Sequence, residues 1–165
     1  MRILVWTIFL ILLLAFQGSL LNPFVIGGIR PDLILITVYL FGIFKGDVKG
    51  GLMGAFLGFI VDIISAGPVY YNIFAKFFIG YLAGVIGRWL QNPGYILHMS
   101  LIFIVSLVQG LGILLILTFL GMAKFPGDLV YIAIPQAIFD GVLGGMAYLL
   151  LTYWRRVAVS RWAWK

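Results

Sequence analysis

The chain has 165 residues, of which 64% are hydrophobic and only 10% charged. A soluble domain of this size cannot hide so much apolar surface, so the composition excludes a water-soluble globule and makes lipid the solvent for most of the chain. The net charge of +6 is read as lipid contact and orientation rather than nucleic-acid binding, since no soluble basic module is present to hold a nucleic acid.

Cysteine is absent, which rules out disulfides, thiolate metal sites and a cysteine nucleophile. Every acid is an aspartate, and the single histidine, His98, is expected near a membrane surface. No H-E-x-x-H, G-x-S-x-G or P-loop pattern occurs. No catalytic residue, metal ligand or cofactor is expected, and the chain reads as a non-enzyme.

The expected fold is an all-α integral membrane protein of six transmembrane helices, forming one domain over residues 1–165. The first apolar run, 3–21, follows Arg2 and mimics a signal peptide. The segment Gln17-Gly18-Ser19 lacks the small-residue cleavage pattern, so an uncleaved first span is expected. The second run, 32–44, lies between Arg30-Pro31-Asp32 and Lys45. It is short for a span of about 20 residues, which implies local thinning or a snorkelling Lys45. A re-entrant hairpin of the second and third runs is the alternative, opposed by the charged Lys45–Lys49 turn it would leave in the membrane. The remaining runs are 50–66, 72–90, 96–121 and 129–153, and Pro135 is expected to kink the last. Residues 154–165 form a tail mixing Trp with Arg and Lys, suited to anchoring at the headgroups.

With six spans and the N-terminus inside, eight basic residues fall on the cytoplasmic side: Arg2, Lys45, Lys49, Arg88, Arg155, Arg156, Arg161 and Lys165. Two, Arg30 and Lys124, fall outside. The positive-inside rule then places both termini in the cytoplasm.

The third run carries Gly51, Gly54, Gly58 and Asp62 on one helical face, and the fourth carries Lys76, Gly80, Ala83 and Gly84. Small faces let helices approach closely in lipid, so Gly51, Gly54, Gly58, Gly80 and Gly84 are read first as packing within the bundle and second as a docking face. Asp62 and Lys76 flank the turn between these runs at similar depth, and a salt bridge between them is expected. It is read as a lock between helices, with a proton or ion site as the functional alternative. On the sixth run Ala133, Gln136, Asp140, Gly144 and Ala147 share a face; Ser106 and Gln109 lie at comparable depth on the fifth. A polar cluster of Gln109, Gln136 and Asp140 is expected, with Asp140 protonated in the simplest reading.

From Arg30 to Gly87 the chain resembles the MreD family of rod shape-determining proteins. The resemblance rests on Arg30-Pro31-Asp32-Leu33, then Gly50-x-x-x-Gly54-x-x-x-Gly58-Phe59 leading to Asp62, then Asn72, then Gly80-Tyr81-Leu82-Ala83-Gly84. Members often carry Leu-Gly before the Asn, where Tyr70-Tyr71 stand here. The resemblance implies a non-catalytic scaffold subunit of the cell-elongation machinery in the bacterial inner membrane. It implies binding to an MreC-like single-span protein and indirect links to the MreB filament and the peptidoglycan synthases. It also implies a fold similar to the vitamin-binding S-components of energy-coupling-factor transporters, so a substrate-binding transporter subunit is the alternative function. Trp is poorly placed for a vitamin pocket: Trp6, Trp89, Trp154, Trp162 and Trp164 all fall on the cytoplasmic half. The outer turns offer Tyr70, Tyr71, Asn72 and Tyr131.

Overall fold

The computed structural model describes residues 29–65, 70–90, 94–122 and 124–162, with side chains through Arg155. The first apolar run and the side chains of the tail beyond Arg155 lie outside the described residues. What is described is all helical, with no strand. Helix α1 spans Leu33–Lys45, α2 Asp47–Ser65, α3 Tyr71–Trp89 and α4 Tyr95–Phe119. One π-helical turn, Leu129–Ala133, leads into α5, Ile134–Trp162.

Each boundary has a local cause. Asp32 caps α1 by accepting from the Leu35 amide at 2.8 Å. Gly46, at φ 93°, turns the chain from α1 into α2. Tyr70 also takes a positive φ, 74°, and gives α3 no side-chain cap. Pro135 has no N–H to offer the preceding turn, and the irregularity falls there as the wide Leu129–Ala133 turn. Between Met146 and Trp162 no Gly or Pro interrupts the chain. The helix therefore runs on past residue 153, the expected end of the last apolar run, to Trp162.

Helices α2 and α3 pack as one antiparallel pair, α4 and α5 as another, and α1 lies between them. The shortest helix is thus the most enclosed: Ile34, Leu35, Ile36, Val38, Tyr39 and Leu40 are all buried. At 13 residues it is shorter than the roughly 20 that a helix needs to cross the bilayer core by itself. Leu57, Ile79, Ala83, Ile102 and Tyr148 complete the core around it. Elsewhere large apolar side chains face outward, including Phe56, Ile63, Phe74, Leu82, Val108 and Leu150. In water this would be an aggregation-prone surface; in lipid it is the expected exterior.

Three described helices are long and apolar enough to cross a membrane: Asp47–Ser65, Tyr95–Phe119 and Leu129–Arg155. α1 is too short. α3 has 19 residues but is not among the three; Asn72, Lys76 and Arg88 lower its apolar content.

The α2–α3 seam is built from glycines. A Cβ at Gly54 would strike the Lys76 carbonyl, and one at Gly58 the Asn72 carbonyl. Gly50 and Gly80 face each other's backbones, and Gly84 abuts the Gly46–Asp47 backbone. Gly51 meets the Phe77 ring edge. The basic residues Lys45, Lys49, Arg88 and Arg155 gather at one end of the bundle, where Arg88 pairs with Asp47.

Candidate functional site

The polar residues of the interior converge on Asp32. Its Oδ1 accepts from the Leu35 amide, which fixes the carboxylate at the start of α1. Its Oδ2 accepts from Lys76 Nζ at 2.8 Å and from Gln109 Nε2 at 3.0 Å. Its own backbone N–H donates to Asp140 Oδ1 at 2.7 Å, and Ser106 Oγ donates to Asp140 Oδ2 at 2.5 Å. Lys76 and Asp140 are essentially sealed, at 1% and 0% exposure. One cluster thus ties together the N-terminus of α1, the second turn of α3, and facing residues of α4 and α5.

A third carboxylate, that of Asp62, extends the cluster. Asp62, on α2, accepts from the Asn72 amide, the Asn72 side chain and the Ile73 amide, at 3.1, 2.9 and 3.1 Å. These amides belong to the first turn of α3, whose donors have no partner inside their own helix. Tyr70 has no side-chain cap to offer them, so the neighbouring helix supplies one. A carboxylate there also meets the positive end of the helix dipole. Asn72 Oδ1 lies 3.4 Å from Lys76 Nζ and so links Asp62 to the Lys76–Asp32 pair.

The expected salt bridge between Asp62 and Lys76 is therefore corrected. Lys76 pairs with Asp32, and Asp62 caps α3. Equal depth made the first pairing plausible, but depth does not fix the direction a side chain takes. Lys76 points inward to α1, whereas Asp62 reaches across the α2–α3 seam. Sequence reasoning placed Asp32 in a motif and missed its role, although Asp directly before an apolar run is an N-cap signal.

Gln109 joins the cluster through Asp32, and its backbone carbonyl accepts from Tyr71 Oη at 2.5 Å. Gln136 does not join; among the described residues it bonds neither Gln109 nor Asp140. Arg30 is exposed and Pro31 buried at the entry to α1. Tyr81 lies on the outer face of α3, stacked against Phe77 at 6.2 Å. His98, in the first turn of α4, is wholly buried between Tyr39 and Tyr148, with Nδ1 2.9 Å from Tyr39 Oη; this concerns its packing and leaves its expected depth near a membrane surface a proposal. Its Nε2 has no hydrogen-bond partner among the described residues.

Lys76 precedes Arg88 by twelve residues, or about 18 Å of helix. The cluster thus lies past the middle of a hydrocarbon core about 30 Å thick, measured from the basic end. An unpaired charge at that depth costs several kcal/mol. Here each oxygen of Asp32, Asp62 and Asp140 has a donor, so the arrangement holds helices together. No group of three or more His, Asp or Glu side chains suited to a metal ion occurs among the described residues.

Apolar outer faces, glycine seams and an internally satisfied polar cluster define a helical membrane protein. The family model described as rod shape-determining protein MreD matches residues 1–157, and the chain belongs to that family. It is therefore a cell-shape-determining membrane protein. Neither the search of curated proteins nor that of solved structures gives a match.

Proposed function

We propose that the chain is a non-catalytic scaffold subunit of the bacterial cell-elongation machinery, acting in cell shape and peptidoglycan synthesis by binding an MreC-like single-span protein. It sits in the inner membrane as a six-span protein with both termini cytoplasmic, the basic end facing the cytoplasm. Links to the peptidoglycan synthases and the MreB filament are indirect, through that partner.

The observation that carries this reading is the closed Asp32–Lys76–Gln109–Asp140 cluster inside a family-matched chain. Its polar groups bind one another and leave the outer apolar faces for partners. A vitamin-binding subunit needs free polar and aromatic groups at the outer turns. Of the four expected there, Tyr71 is held by Gln109 and Asn72 by Asp62, which leaves only the exposed Tyr70 and Tyr131 and weighs against that alternative.

The test is co-purification with the MreC-like protein of the same cell after mild detergent extraction. A stoichiometric complex supports the scaffold. No complex even after cross-linking, together with thermal stabilisation by a vitamin, would replace it with the transporter reading.

A further inference from the structure

Helices α1 and α5 run in the same direction. Asp32 meets Asp140 at one end, and Phe44 stacks on Tyr148 at the other, ring centroids 5.8 Å apart. Side by side they leave an open groove of about 690 Å³ on the outside of the bundle. Its walls are apolar, with Leu40 and Phe44 from α1 facing Leu150 and Leu151 from α5. Thr37 belongs to the wall too, but its hydroxyl is bonded to the Leu33 carbonyl. The basic end of the groove is different: Lys45, Trp154 and Arg155 line it. Arg155 is held over the Phe44 ring, 4.7 Å from its centroid. Neither Lys45 nor Arg155 forms an ion pair among the described residues, whereas nearby Arg88 is neutralised by Asp47.

We propose that this groove binds one anionic glycerophospholipid, with an acyl chain along the α1–α5 walls and the headgroup phosphate between Lys45 and Arg155. Charge complementarity fixes the headgroup: two cations at the mouth of an apolar slot, neither ion-paired among the described residues, suit a phosphate, and Trp154 suits the headgroup level. Length fixes the tail. The lining runs from Leu33 to Lys45 on α1 and from Ala147 to Arg155 on α5, about 18 and about 12 Å. That is one leaflet of a core about 30 Å thick. A partner's spanning helix would need a groove twice as deep. The inference uses the membrane placement of the chain but not the MreC-like partner, so failure of that partnership leaves it standing.

The experiment is native mass spectrometry of the full chain in detergent, titrated with dioleoyl-phosphatidylglycerol or dioleoyl-phosphatidylcholine. Phosphatidylglycerol should be retained at one per chain and bind more tightly than phosphatidylcholine. The double variant Lys45→Gln with Arg155→Gln should weaken it about tenfold, while Lys49→Gln, at the same end but off the groove, should not. Leu150→Trp, which fills the groove from an exposed position, should weaken both lipids. Four results would each overturn the proposal. Equal retention of the two lipids would mean ordinary boundary lipid, and an unaffected double variant would place the headgroup elsewhere. Equal binding of glycerol phosphate would mean a phosphate site with no use for the groove. Efficient disulfide cross-linking of a cysteine at position 150 to residues 1–28 or to a second copy, unrelieved by phosphatidylglycerol, would assign the groove to protein.

Discussion

Lys76 and Asp32 are 44 positions apart in sequence and 2.8 Å apart in the interior. The pair joins α3 to the N-cap of the central helix, so loss of either side chain leaves a buried charge without its partner. Lys76→Ala and Asp32→Ala are each expected to cost about 3–5 kcal/mol. In a double-mutant cycle read by denaturation in detergent, the pair should couple by about 1–3 kcal/mol. Coupling between Asp62 and Lys76, connected only through Asn72, should be smaller. The reverse order would contradict the pairing described.

Asp62 acts on the backbone of α3 and not on a cation. Asp62→Ala should therefore resemble the loss of a helix cap, about 1–2 kcal/mol. Asp62→Asn keeps one oxygen acceptor and should recover part of the loss. Hydrogen exchange at the Asn72 and Ile73 amides is the direct measurement, and these amides should lose protection in Asp62→Ala.

Asp140 separates a structural from a proton-carrying role. Its two oxygens accept from Ser106 and from the Asp32 amide. Asn keeps an acceptor for the amide and a polar group beside the Ser106 hydroxyl, whereas Leu keeps neither. We expect Asp140→Asn to retain rod shape in a complementation assay and Asp140→Leu to lose both stability and rod shape. Loss of shape in a stable Asp140→Asn protein would favour proton transfer.

Glycine positions differ sharply in what surrounds them. At Gly54 any Cβ collides with the Lys76 backbone, which cannot move aside as a flexible side chain does. Gly54→Ala should cost about 1–3 kcal/mol as overpacking, and Gly54→Leu more. At Gly110 the nearest atom is the Ala133 Cβ, at 3.4 Å. Gly110→Ala should be neutral or stabilising by up to about 1 kcal/mol, the helix-propensity gain. Paired thermal melts in detergent test the contrast.

Much was legible from local signals. Apolar runs broken by Gly, Pro and charge mark helices whatever surrounds them, so α3 begins at Tyr71 where the run was read from residue 72. Composition alone required a non-aqueous environment, and the motif order from Arg30 to Gly84 pointed to the family. These features depend on a residue and its near neighbours, which the sequence contains. Three-dimensional arrangement decided the rest. That the shortest helix lies at the centre, that Asp32 holds Lys76, and that Asp62 caps a foreign helix all depend on which way side chains point across seams between helices. Hydropathy carries no such direction: Asp62 and Lys76 had the right depth and the wrong azimuth. His98 likewise lies in the first turn of α4 by sequence, yet only the approach of α1 and α5 buries it between Tyr39 and Tyr148. A single chain specifies these partners only through the joint packing of all its helices, where each buried polar group must find a donor or acceptor and few arrangements satisfy them together.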